Sequence, residues 1–134
     1  IQEMIARKLG VECGTYHHFA GSLHLYESDI AKSESYLAEG YHSDLSMPPM
    51  PDGDPFQVIG PCLEKMDAIR GGGGLAAIGT DLPEYWNDLL RLLVAYHHSE
   101  DPGVIDAVQK ALVDPNYFPF VERRKIASRP ASGV

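Results

Sequence analysis

Basic residues are scarce in this chain. Eleven lysines and arginines stand against nineteen aspartates and glutamates, for a formal charge of −8 and a pI near 5.1. A duplex-binding surface needs clustered cations, and the only dense run is Arg123-Arg124-Lys125, with Arg129 beyond it. That argues against DNA or RNA as a partner, although a single mononucleotide phosphate needs only one or two arginines. Cysteine is nearly absent: Cys13 and Cys62 lie far apart without a CxxC spacing, which excludes a disulfide framework. No apolar run approaches the roughly 18 residues of a spanning helix, and no basic-then-apolar leader is present. No membrane role and a reducing, cytoplasmic setting are therefore expected. The Gly71–74 run is followed by LAAIGT and has no lysine to reach a phosphate, so it reads as a loop and not a phosphate cradle.

Ten prolines and thirteen glycines are more than average usage. Most lie between residues 40 and 79, which predicts a loop-rich middle. MPPMPDGDP cannot hold a regular element, and residues 41–60 and 71–80 read as loops. Such a stretch either lies across a neighbouring subunit or wraps the surface.

Around these loops the spacing is helical. Ile1, Met4, Ile5 and Leu9 recur at helical intervals, with Gly10 as the stop. This first segment has no N-cap, so it reads as the continuation of a helix begun upstream. A second helix is expected from Ser28 or Asp29 to about residue 39, and a third from Pro61 to Arg70. Asp81 and Glu84 form a D-x-x-E box opening a helix to about His98, with Trp86, Leu89, Leu90, Leu93, Val94 and His97 inward. Asp101-Pro102 opens another, with Ile105, Val108, Gln109 and Leu112 inward. A last helix spans about 118–126, and residues 127–134 read as a flexible tail.

Residues 16–26, YHHFAGSLHLY, differ in kind and hold three of the six histidines. They read as a strand over 16–25, with Tyr16, His18, Ala20, Ser22, His24 and Tyr26 on one side. His17, Phe19, Gly21, Leu23 and Leu25 form the better core face. Gly21 weakens a strand interior and marks a bulge or the close approach of another group. His24 and Tyr26, about 6 to 7 Å apart on one face, can donate to or accept from a sugar hydroxyl without changing charge.

Other constellations read as structural. His17 and His18 point to opposite faces, and His18 and His24 stand about 20 Å apart along a strand. His97 and His98 lack an HExxH arrangement, so no metal site is expected. Acids such as Glu27, Asp29, Glu100 and Asp101 fall at turns and helix starts, where carboxylates favour exposed amides. Cys62 follows Pro61 near an expected helix start that could lower its pKa, but it has no local base and reads as a half-buried structural thiol.

Over roughly residues 1–38 the chain resembles the thymidylate synthase family. The resemblance lies in the helix ending at Leu9-Gly10, then GTYHHFAGSLHLY, then the helix from about Asp29. Gly21-Ser22-Leu23-His24-Leu25-Tyr26 is similar to the family's G-D-x-H-x-Y motif, with Ser22 at the aspartate position. The resemblance implies that His24 and Tyr26 bind the deoxyribose hydroxyl of a pyrimidine deoxynucleotide. It also implies methylenetetrahydrofolate as one-carbon donor, C5 methyl or hydroxymethyl transfer, and a homodimer. The family's Pro-Cys-His nucleophile has no counterpart here, since Pro61-Cys62 is followed by Leu63. The chain alone supplies no catalytic residue.

The expected fold class is thus α/β, a thymidylate-synthase-like fragment of one or few strands followed by a mainly helical region. Residues 1–134 read as one domain or the C-terminal part of a larger one. Two rival functions stand beside the nucleotide transferase: a non-catalytic oligomerisation or interaction domain derived from the same fold, and a free-standing helical protein. A lone strand must pair with something, be it missing sequence, another segment or another chain.

Overall fold

The first helix, α1 (Gln2–Leu9), stops where Gly10 enters the left-handed region at φ 66°, returning amides to the Ala6 and Arg7 carbonyls. In the computed structural model the described residues are 1–38, 40 and 46–128, with side chains through Arg124. The chain divides into two units, Gly14–Ser46 and the remainder (Ile1–Cys13 with Met47–Val134).

The larger unit is built on α3 (Phe56–Arg70), α4 (Glu84–His97), α5 (Pro102–Ala111) and α6 (Phe118–Ser128). Helix α4 packs on α3 and α5, and α5 packs on α6. Ile69 from α3, Leu90 and Val94 from α4, Ile105 and Val108 from α5, and Val121 from α6 meet in one core. Burying each such aliphatic side chain contributes about 1.5–3 kcal/mol, so these helices hold one another in place. Helix α1 belongs to the same unit. Its charged side meets the 47–54 stretch: Glu3 accepts the Met50 amide at 3.0 Å, Arg7 pairs with Asp52 at 2.6 Å, and Lys8 with Asp54.

Local signals explain most of the boundaries. Asp101 caps α5 by accepting the Gly103 and Val104 amides, with Pro102 in the first turn. Two starts differ from expectation. Helix α3 begins five residues before Pro61, at Phe56, where Asp54 accepts the Phe56 amide (3.1 Å). Pro61 therefore lies inside the helix and removes one backbone bond. Asp81 does not cap α4; it takes the Lys65 ammonium at 2.7 Å, and the helix starts after Pro83. His97 is exposed, while Asn87 and Asp88 are buried in its place.

The smaller unit carries a 3-10 turn (Glu27–Asp29) leading into α2 (Ile30–Ala38). Ahead of them, residues 14–26 form no regular element. This corrects the α/β expectation: among the described residues there is helix and no strand. The physical reason is the one that makes a lone strand untenable. No other segment among the described residues forms a strand, so none of them offers residues 16–25 a ladder. Leu23 and Leu25, assigned to a core face, are exposed.

No helix among the described residues is long and apolar enough to cross a membrane. The tail expected over 127–134 lies, from residue 129 onward, outside the described residues, as do residues 41–45 of the expected loop.

Candidate functional site

Two places stand out. The first is the segment that holds the sequence-derived site residues. Side chains two apart meet along it: Tyr16 Oη lies 3.1 Å from His18 Nδ1, and Ser22 Oγ lies 3.0 Å from His24 Nδ1. The His24 and Tyr26 rings meet edge to face with centroids 5.8 Å apart. These are the neighbours that an extended backbone creates, since residues i and i+2 fall on one side. On the other side, Phe19 is 91 % and Leu23 94 % exposed. A side chain of either kind gains only when something covers it.

The second place is a cleft of about 270 Å³ in the helical unit. Its apolar walls are Pro48, Pro49, Val113 and Pro115, and its polar side carries Glu84, Asp88 and Asp114 with Tyr85 and Tyr117. Asp88 is only 1 % exposed. Its carboxylate accepts the Val113 amide (3.1 Å), the Asp114 amide (2.8 Å) and an Arg91 N–H (2.6 Å). Arg91 also reaches Glu84 at 2.6 Å. Burial opposes the Arg91 charge, but the two carboxylates outweigh it and hold its pKa above the ordinary value. Asp114 caps the 3-10 turn Pro115–Tyr117 by accepting the Asn116 amide. The Tyr117 hydroxyl is out of contact with solvent and has no hydrogen-bond partner. Burial raises its pKa, and Tyr85, Asp114 and Asp88 raise it further.

Sequence reasoning missed this cleft. Glu84, Asp88 and Arg91 recur at helical spacing, a pattern that a solvated charged face shares with a buried network. The amides that Asp88 holds lie some 25 residues further on, which no local pattern reveals. Asp114-Pro115 repeats the cap signal of Asp101-Pro102 and was the one legible clue.

The remaining candidates separate. Cys62 is seven residues into α3 and half-buried; burial pushes its thiol pKa up, against the lowering that a helix start would bring. Among the described residues no group of three or more histidines, cysteines and acids is arranged to hold a metal.

No protein-family model matches the sequence, and no curated protein matches it. The resemblance to the thymidylate synthase family is not upheld. It required a strand within an α/β sheet to present His24 and Tyr26, and the described residues supply only helices around an unpaired segment. The nucleotide transferase reading, and an interaction domain derived from that fold, are set aside for the same reason.

Proposed function

We propose that this chain is a self-associating interaction module, in which residues 16–26 of two copies pair as antiparallel strands about a two-fold axis at Gly21. The observation that carries this reading is a segment outside any regular element, with a bend at Gly21, along which side chains two apart meet and Phe19 and Leu23 lie almost wholly in solvent. An extended backbone with open donors and acceptors is a template for strand addition.

The order of residues selects the second copy as partner. Read from either end, the segment is nearly the same: Tyr16 falls opposite Tyr26, His18 opposite His24, and Ala20 opposite Ser22. On the other face Phe19 meets Leu23 and His17 meets Leu25. Antiparallel pairing places such opposed side chains about 4.5–5.5 Å apart, where aromatic and aliphatic pairs each contribute roughly 0.2–1 kcal/mol. A two-fold interface needs a surface that complements itself, and this segment supplies one. Gly21, on the axis, leaves room for the two backbones to approach, and a Cβ built there meets nothing within 4 Å in the single chain.

Sedimentation equilibrium at tens of micromolar tests the reading. The expected result is a monomer–dimer equilibrium that shifts to monomer in a Phe19→Glu, Leu23→Glu variant with unchanged helical circular dichroism. A strictly monomeric parent protein overturns it.

A further inference from the structure

Outside residues 16–26 the charged groups are largely committed to the fold. Arg7 pairs with Asp52, Lys65 holds the Ile78 carbonyl and Asp81, and Arg91 bridges Glu84 and Asp88. The hollow at His97–Pro102 is wide and open, with no three ligands arranged to hold a metal. His18 and His24 are different, because each has one ring nitrogen in use and one to spare.

His18 Nδ1 lies 3.1 Å from Tyr16 Oη, and His24 Nδ1 lies 3.0 Å from Ser22 Oγ. The two histidines thus repeat one arrangement, a ring held by the hydroxyl two residues earlier. Neither Nε2 makes a hydrogen bond among the described residues, and both histidines are exposed. When Nδ1–H donates to the hydroxyl oxygen, the Nε2 lone pair is free to ligate. A hydrogen bond at the second ring nitrogen is the usual support of a metal-bound histidine, since it fixes both tautomer and ring orientation.

Within one chain these histidines cannot share an ion, because six residues span about 20 Å along a strand. Pairing two copies about Gly21 removes that obstacle. His18 of one copy then falls opposite His24 of the other, on the face that also carries Tyr16 and Ser22.

We infer that a divalent first-row metal ion with a preference for imidazole, zinc being the probe, bridges the two copies between these histidines. The inference rests on the pairing proposed above. Two-fold symmetry repeats the site, giving one ion per chain. Opposed side chains have Cβ atoms about 4.5–5.5 Å apart. A tetrahedral zinc ion with Zn–N near 2.0–2.1 Å holds two nitrogens roughly 3.3 Å apart, so rings leaning together from such positions reach it. Water fills the remaining positions, which makes this an open bridge and not a closed four-ligand centre. His17 lies on the other face, opposite Leu25, and takes no part.

Sedimentation equilibrium of the full, reduced chain in zinc chloride and in EDTA tests the inference. Zinc should tighten the dimer about tenfold or more, since an ion that binds only the paired form stabilises it by mass action. The effect should saturate at one ion per chain and be absent with magnesium, which prefers oxygen ligands. His18→Gln and His24→Gln should each keep the dimer seen in EDTA and lose the zinc effect, whereas His17→Gln keeps both. Mixing the two variants should restore part of the effect, because in the mixed dimer the remaining His24 faces the remaining His18. A zinc effect that survives in either single variant overturns the inference, as does a mixture that responds no more than its components. A dimer that forms in EDTA and is unchanged by zinc overturns the ion bridge but leaves the pairing standing. A chain monomeric in both solutions overturns both.

Discussion

Asp88, on the second turn of α4, accepts the backbone amide of Asp114 at 2.8 Å and so fixes the turn that leads into α6. A buried carboxylate tolerates its position only when several donors surround it, and two amides and Arg91 do so here. Replacing it by alanine leaves all three facing an empty acceptor site. Asp88→Ala should lose about 3–5 kcal/mol in urea unfolding, the magnitude typical of a broken buried ion pair. A loss below about 1 kcal/mol would show that water or a neighbouring acceptor takes over its role.

The core and the extended segment should respond in opposite ways. Ile105 is wholly buried among α4, α5 and α6, whereas Leu23 is exposed. Ile105→Ala should cost about 2–5 kcal/mol through lost burial and the cavity left behind. Leu23→Ala should change the stability of the monomer by less than about 0.5 kcal/mol. Urea titrations at low protein concentration, where association does not contribute, make the comparison.

Helix α5 depends on its cap. Asp101→Ala removes the acceptor for the Gly103 and Val104 amides and should cost about 0.5–2 kcal/mol. Because α5 packs on both α4 and α6, amide exchange should quicken first at residues 103–105.

Asp81 supplies a pH dependence of known sign. The Lys65 hydrogen bond holds its carboxyl below the ordinary value in the folded protein. A depressed folded pKa contributes stability above the unfolded value, and that contribution disappears as pH falls through the folded one. Asp81→Asn should therefore be less stable than the parent at neutral pH, with the gap closing under acid conditions. A gap that stays constant down to about pH 2 would assign the difference to packing.

Legibility followed the range of the interactions. The Gly10 stop, the Asp101-Pro102 start and the Ile105, Val108 and Leu112 stripe depend on neighbours within a turn or two, and they stood in the sequence. Helix α3 was read five residues short because Pro61 looked like a first residue, although Asp54 and Pro55 already open the helix. The period-2 pattern of residues 16–26 was real, and its side chains do meet two apart. What it could not reveal is pairing, because a strand is defined by its partner and none is built from this chain's described residues. The Asp88 cleft was hidden for a related reason, since its donors come from a turn remote in sequence.

The most direct test of the account is the distance between position 16 in one copy and position 16 in its partner. With Cys13 and Cys62 changed to serine, Tyr16→Cys carries a single nitroxide label. Pairing about Gly21 places residue 16 opposite residue 26 of the second copy, so the two labelled positions lie ten residues apart along the ribbon. Pulsed dipolar spectroscopy at about 100 µM should give a distance near 34 Å, from about 3.4 Å per residue. The absence of any dipolar signal, or a distance more than about 10 Å from that value, would contradict the proposed pairing.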